Sequence, residues 1–145
     1  MAILADTGPL YALADQDDQY HEAVTEYVSA TRETLIVPGP VVPEVCYLLL
    51  AYLGSGAEIG FLRSLADQEL LLEHFTVKDL VRAIEILEQY RTARFGMVDA
   101  TVMAMAERLK IKVVLTLDRR DFGMYRPRHC AAFHLVPDLP PPRSK

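Results

Sequence analysis

Short apolar runs of strand length recur along the chain, each bounded by polar or turn-forming residues. The runs occupy residues 2–5, 35–37, 70–72, 113–115 and 133–136. Because most of them lack alternating polar positions, they are typical of strands that are buried on both faces. We therefore predict five strands, and the first of them ends at Asp6, where a turn leads into a helix.

Apolar residues at helical spacing fill the segments between these strands. Helices are expected over residues 10–14, 20–28, 41–53, 57–66, 80–87 and 98–109. The helix over 41–53 is expected to be largely buried, with Pro43 tolerated in its first turn. The helix over 98–109 is apolar on nearly all sides, which also predicts burial, and Thr76 is expected to cap the helix that follows it.

The alternation of strands and helices predicts an α/β fold, in which helices flank a central, mostly parallel sheet. The chain has 145 residues, the size of one domain. We expect this domain to cover residues 1–136 and the Pro-rich segment 137–145 to be a flexible tail. In such sheets ligands bind beyond the carboxyl ends of the strands.

Composition and charge exclude several classes of protein. The net charge of −5 excludes a generally basic, RNA-coating protein, and two cysteines are too few for a disulfide scaffold. The longest apolar run, residues 45–53, is too short to cross a bilayer, and no signal peptide is recognisable. We therefore expect a cytoplasmic protein without a membrane partner. Residues 91–145 nevertheless carry eleven Lys or Arg against five Asp or Glu, which permits a local basic surface.

Five acidic residues lie at positions unusual for solvated surface charges. Asp6 and Asp118 follow predicted strands, Glu44 and Asp99 open apolar helices, and Asp121 comes shortly after Asp118. Each acid alone is explained equally well as a helix cap, a turn residue or a partner of a helix dipole. Together, at one edge of a parallel sheet, they would repel one another and require a cation. Oxygen ligands favour Mg²⁺ or Mn²⁺ over zinc.

The residues around these acids, in this order, resemble the PIN domain family, and more closely its VapC-type toxins of toxin–antitoxin pairs. The matching segments are residues 3–10, 43–45, 97–100 and 115–122. The resemblance implies a Rossmann-like layered fold and a Mg²⁺- or Mn²⁺-dependent endoribonuclease that hydrolyses RNA phosphodiesters with a metal-activated water. One departure is Gly8, where many members of the family carry Ser.

The resemblance also implies roles for particular residues. The catalytic quartet of the family corresponds to Asp6, Glu44, Asp99 and Asp118, and these four together with Asp121 are the implied metal ligands. Two positions that often carry hydroxyl groups near the metal correspond to Thr7 and Thr116. Three basic residues near the predicted rim are candidates for contacts with RNA phosphates, and they are Arg94, Arg119 and Arg120.

The same resemblance implies partners. VapC-type proteins form homodimers and bind a small antitoxin of the VapB type, whose segment covers the active site. The helices over residues 41–66 are our candidate for the partner groove and the dimer face.

Some of these residues also occur in motifs of other protein classes. Asp6-Thr7-Gly8 is also the triplet of aspartic proteases, but those are β-rich, and this chain is dominated by helical periodicity. The dinucleotide-binding pattern G-x-G-x-x-G and the P-loop are absent from the sequence. The alternative that stays open is a catalytically silent PIN-like module that binds RNA or a partner.

Overall fold

A five-stranded, all-parallel sheet lies at the centre of the computed structural model, which describes residues 1–139. The strands are β1 (Ala2–Ala5), β2 (Thr34–Pro38), β3 (Leu71–Glu73), β4 (Val113–Leu115) and β5 (His134–Val136). Their order across the sheet is β3-β2-β1-β4-β5. The central strand β1 places Ile3 beside Leu35 of β2 and Val113 of β4, and the chain order reverses at this point.

Helices connect the strands. They are α1 (Thr7–Ala14), α2 (His21–Ala30), α3 (Val41–Tyr52), α4 (Ser55–Ala66), α5 (Val77–Gln89), α6 (Met97–Leu109) and α7 (Arg119–Met124), with a 3-10 turn at Arg91–Ala93. Among residues 1–139, none of these helices is long and apolar enough to cross a membrane. The predicted α/β fold with a parallel sheet flanked by helices is confirmed.

The helical elements differ from the prediction at one start and in two short pieces. Helix α1 begins at Thr7 rather than at residue 10, because Pro9 lies in the first turn, where its missing N–H is not needed. The short helix α7 and the 3-10 turn were not predicted, since neither is long enough to show helical periodicity. The cap predicted at Thr76 is present as a reciprocal capping box with Asp79.

Helix α3 is much less buried than the sequence predicts. Only Val41, Val45 and Leu49 are buried, and they form a single narrow stripe along the helix. Tyr47 and Leu50 lie on other faces and are exposed. The expectation of a largely buried helix was wrong because an apolar side chain does not by itself reveal whether another element covers it.

Helix α5 packs on α6 through a partly polar interface. Arg82 of α5 bonds Glu107 of α6 through Nε to Oε1 at 2.8 Å. In the other direction, Nε of Arg108 donates to both carboxylate oxygens of Asp79, at 2.9 and 3.0 Å. These pairs hold α6 in place, and the first turn of α6 carries Asp99.

The start of the predicted tail is packed against the domain. Pro137 is buried, and its carbonyl accepts a hydrogen bond from the guanidinium of Arg119. The rest of the Pro-rich segment, residues 140–145, lies outside the described residues.

Candidate active site

Four of the five candidate acids lie at the carboxyl edge of the sheet. Asp6 directly follows β1, and its N–H donates to the carbonyl of Leu115 at the end of β4. Asp118 follows β4 and begins α7 as its N-cap, where it accepts the N–H of Asp121 at 2.9 Å. Asp99 lies in the first turn of α6. Parallel strands end at one edge, so acids that follow β1 and β4 are brought together.

The acidic centre is formed by Asp99, Asp118 and Asp121. One carboxylate oxygen from each of these residues lies within 4.8 Å of the other two. All three residues are partly buried. Three carboxylate oxygens at this spacing match the ligands that hard divalent cations prefer. The residues present therefore fit a divalent metal ion.

Asp6 is joined to the acidic centre through Thr116. The Asp6 residue is only 7% exposed, and its Oδ2 accepts a hydrogen bond from the buried hydroxyl of Thr116 at 2.9 Å. The same hydroxyl oxygen accepts the N–H of Asp118 at 3.0 Å. Thr116 thereby fixes the position of Asp6 relative to Asp118, which is consistent with the hydroxyl group expected near the metal.

Glu44 lies at the rim and not in a buried position. The residue is exposed on α3, which corrects the expectation that it opens a buried helix. Its Oε1 accepts a hydrogen bond from the hydroxyl of Thr7 at 2.7 Å. Because Thr7 directly follows Asp6, this bond ties the Glu44 side chain to the edge of the sheet. Both residues therefore belong to the border of the acidic centre.

Gly8, where many members of the family carry Ser, lies close to the side chain of Leu117. A Cβ atom at Gly8 would lie 3.3 Å from Cδ1 of Leu117, which is closer than most side-chain contacts. Gly8 thus allows the first turn of α1 to approach the loop after β4. Asp6 itself lies near Thr116 because β1 pairs with β4 directly before these residues.

Burial and mutual repulsion raise the pKa of several acids in the site. For Asp99 the pKa rises from 3.8 to about 7, first because of burial and then because of the charges of Asp6, Asp118, Asp121 and Glu44. Burial is also the largest cause of the raised pKa of Asp6 and of Asp121. Without a cation, Asp99 is therefore partly protonated at neutral pH, and a bound cation would displace its proton.

We expect the metal-free protein to lose stability as the pH rises. Because the pKa of Asp99 is about 7 in the folded state and has its ordinary value of 3.8 in the unfolded chain, the folded state binds more protons between these values. The free energy of unfolding therefore falls with rising pH, by up to about 4 kcal/mol from this residue. The melting temperature in EDTA should decrease from about pH 5 to about pH 8.

Two controls separate this effect from other titrations. The Asp99→Asn variant should show a weaker pH dependence, of which the remainder comes from the raised pKa values of Asp6 and Asp121. Excess Mg²⁺ should raise the wild-type melting temperature at high pH by mass action. The lowered pKa values of Asp79 and Glu107 act at lower pH and with the opposite sign. An unchanged pH dependence in Asp99→Asn would contradict the assignment.

The three candidate RNA-contacting arginines occupy different surroundings. Arg94 is exposed, in a left-handed conformation just before α6. Arg120 is exposed, and its Nη1 lies 2.8 Å from Oδ1 of Asp121. Arg119 instead donates to the carbonyls of Leu135 and Pro137. The guanidinium of Arg119 is thus engaged by the backbone around β5, which disfavours its predicted role as a phosphate contact.

An apolar groove adjoins the acidic centre, and we call it the Tyr47 groove. It has a volume of about 610 Å³, and its lining includes Thr7, Pro43, Glu44, Tyr47, Phe75 and Met97. Tyr47 lies within residues 41–66, the region expected to carry the partner groove, whereas Phe75 and Met97 lie outside that region. The available signal was Tyr47, which follows Glu44 by three positions and so lies on a neighbouring part of the same helix face.

The fold and the site together define a class of protein, namely layered parallel α/β proteins with an acidic centre at the carboxyl edge of the sheet. The sequence model of the PIN domain matches residues 3–126 of the chain. The chain belongs to the PIN domain family, as the resemblance implied.

Similar proteins include toxins of this family. The chain is 33% identical to ribonuclease VapC26 of Mycobacterium tuberculosis over 135 residues, which cover 93% of this chain and 100% of that protein. The crystal structure of M. tuberculosis VapC20, a toxin that cleaves the sarcin-ricin loop, superposes with a TM-score of 0.80 at 22% identity. That match covers 90% of this chain and 99% of VapC20.

Structures of assemblies also match in fold. A toxin–antitoxin complex from Klebsiella pneumoniae gives a TM-score of 0.67 at 16% identity and covers 85% of this chain and 92% of the matched chain. VapBC2 from Rickettsia felis, bound to a DNA fragment from its promoter, gives a TM-score of 0.66 at 17% identity. There the coverage is 94% of this chain and 98% of the matched chain.

Proposed function

We propose that the chain is a metal-dependent endoribonuclease and the VapC-type toxin of a toxin–antitoxin pair. The observation that carries the proposal is the convergence of Asp99, Asp118 and Asp121 beside Asp6 at the carboxyl edge of the sheet. The membership of the PIN domain family and the similarity to a ribonuclease over nearly the whole chain support it.

The metal in this proposal is Mg²⁺ or Mn²⁺. Asp99, Asp118 and Asp121 would hold it, with Asp6 as a further ligand, directly or through water. When bound, such an ion stabilises charge on phosphate oxygens and lowers the pKa of water. The raised pKa values of Asp6, Asp99 and Asp121 are consistent with a site that is completed by a cation.

The other polar residues orient groups in the reaction. In the proposal, Glu44 holds the attacking water by accepting a hydrogen bond from it, while Thr7 fixes the Glu44 carboxylate. Thr116 holds Asp6 in place through the hydroxyl described above. The water would attack phosphorus in line and release one proton to a carboxylate of the site or to solvent. The P–O bond opposite to it would break, and the leaving oxygen would take a proton from solvent or from a protonated acid at the site.

The RNA backbone is assigned to the side of the acidic centre that carries Arg94 and Arg120. Arg120 contacts Asp121 and the carbonyl of Ala93, so α7 and the loop before α6 form one surface. Exposed guanidinium groups attract phosphates and would offset the repulsion between RNA and the carboxylates. Arg119 is left out of this assignment because the backbone around β5 engages it.

The partners in the proposal are an antitoxin of the VapB type and a second copy of the chain in the cytoplasm. Exposed apolar residues on α3, on α4 and between them offer a surface for such contacts, and they are Leu50, Leu53, Ile59 and Leu62. Exposed apolar patches of this kind mark interaction sites in soluble proteins.

Cleavage of cellular RNA tests the proposal. Purified protein is incubated with total RNA in Mn²⁺, in Mg²⁺ and in EDTA. We expect discrete fragments in the lanes with metal and intact RNA in EDTA, because the carboxylates need a cation to stabilise charge on the phosphate. Intact RNA in every lane, while a labelled RNA still binds, would favour the catalytically silent module instead.

A further inference from the structure

Three large apolar side chains are exposed at one place in the Tyr47 groove. Tyr47 is 72% exposed, Met97 45% and Phe75 39%. They come from three separate elements, namely α3, the first turn of α6 and the loop after β3. The groove volume of about 610 Å³ lies within the roughly 300–1,000 Å³ of small-molecule sites. The convergence of three elements on one open groove indicates a binding site.

The Tyr47 groove is continuous with the acidic centre. Glu44 and Tyr47 are one turn apart on α3, and both line the groove. Met97 opens the helix that carries Asp99 in its first turn. Thr7 lines the groove and also bonds Glu44 at the border of the acidic centre. A ligand in the groove would therefore lie directly beside a phosphate held at the acids.

We propose that the Tyr47 groove binds a nucleobase of the RNA, next to the phosphodiester that is cleaved. The proposal rests on the proposed ribonuclease function and names the specificity site for it. Unpaired bases of RNA stack on aromatic side chains, and Tyr47 and Phe75 provide such rings. The base would anchor the strand and so hold the adjoining phosphate at the acidic centre.

The charges around the groove favour a base over a phosphate. Among the described residues that line it, none is Lys or Arg, and Glu44 adds a negative charge. A phosphate would be repelled there, whereas the flat, uncharged face of a base would not. The exposed cations assigned to the phosphates, Arg94 and Arg120, are not among the residues that line the groove. An apolar peptide is the competing occupant of the groove, and a comparison of RNA with and without bases distinguishes the two occupants.

The experiment compares two single-stranded RNA oligomers of equal length, one of randomised sequence and one abasic. Their dissociation constants are measured by fluorescence anisotropy in EDTA, where cleavage is not expected. Both oligomers carry the same phosphates, so repulsion by the acids cancels in the ratio of the two constants. The variants are Tyr47→Ala, Tyr47→Phe and Phe75→Ala. The matched control is Tyr52→Ala, since Tyr52 is 71% exposed on the same helix but is not among the lining residues.

We expect the wild type to bind the base-containing oligomer roughly 10-fold more tightly than the abasic one. Tyr47→Ala and Phe75→Ala should each reduce this preference about 5-fold, while Tyr47→Phe and Tyr52→Ala should keep it. No preference in the wild type, or an unchanged preference in Tyr47→Ala and Phe75→Ala, would overturn the proposal and leave an apolar peptide as the occupant. If the preference holds but Mn²⁺ yields no cleavage, the ribonuclease proposal fails and the base site stands.

Discussion

Replacement of Asp99 by asparagine is expected to reduce RNA cleavage by at least about 100-fold, which is the cost of removing one well-placed charged group from such a site. Asp99 has a raised pKa of about 7 because it is partly buried and faces Asp6 and Asp118. Asparagine keeps the size of the side chain but cannot supply a negative charge to a cation. The measurement is the initial rate of RNA cleavage in saturating Mn²⁺.

The fold of Asp99→Asn should remain intact. Because the substitution removes one member of a repelling group, its melting temperature in EDTA above about pH 7 should equal or exceed that of the wild type. The matched control is Asp67→Asn, an exposed acid at the end of α4 that should leave the cleavage rate unchanged. Full activity in Asp99→Asn would remove this residue from the active site.

Replacement of Glu107 by alanine is expected to lower the free energy of unfolding by about 3–5 kcal/mol. Glu107 is nearly buried and accepts hydrogen bonds from Arg82 Nε at 2.8 Å, Tyr125 Oη at 2.5 Å and Arg128 N at 2.9 Å. Burial raises the pKa of Glu107, but its hydrogen bonds outweigh this effect and lower it overall. The alanine variant leaves the Arg82 charge without its main partner.

Urea unfolding of four variants measures this loss, namely Glu107→Ala, Arg82→Ala, the double variant of these two, and the control Glu85→Ala. The control Glu85→Ala removes an exposed carboxylate that lies 3.7 Å from Arg82, and it should cost less than about 1 kcal/mol. The double variant Arg82→Ala with Glu107→Ala should cost less than the sum of the single variants, because no unpaired charge remains. A loss below about 1 kcal/mol in Glu107→Ala would show that this contact between α5 and α6 does not stabilise the fold.

Much of the fold could be predicted from the sequence, because the periodicity of apolar residues follows the physical layers. The five strands and the helices α2, α3, α5 and α6 correspond to apolar runs or to helical spacing. Helix α7 could not be predicted this way, since Arg119–Met124 spans fewer than two turns. The N-cap bond from Asp121 to Asp118 depends on where β4 ends, which local spacing does not reveal.

The sequence was a poor guide to which side chains of a helix are buried. The pattern of Leu80 and Ile84 predicted a helix, but both side chains are exposed, and the covered face carries Asp79, Ala83 and Ile86. This face is covered because Asp79 and Arg82 pair with charged residues of α6. A charged residue is not expected on a buried face unless it has a partner there, and the sequence does not show which residue of another helix is that partner.

For the candidate site, position relative to the strands was sufficient to predict that the acids meet. Asp6 and Asp118 follow neighbouring parallel strands, and Asp99 begins the helix before β4. The exposure of Glu44 and the apolar groove beside it could not be predicted, because they depend on which face of α3 is covered. The engagement of Arg119 by β5 likewise requires the tertiary structure.

The central claim is that the acidic centre holds the divalent cation needed for RNA cleavage. Crystals grown with Mn²⁺ and measured by anomalous diffraction test it most directly, because the scattering locates the ion. We predict an anomalous peak bounded by the carboxylates of Asp99, Asp118 and Asp121, and no such peak in crystals of Asp99→Asn. An absent peak in the wild type, or Mn²⁺ bound only at other residues, would contradict the account.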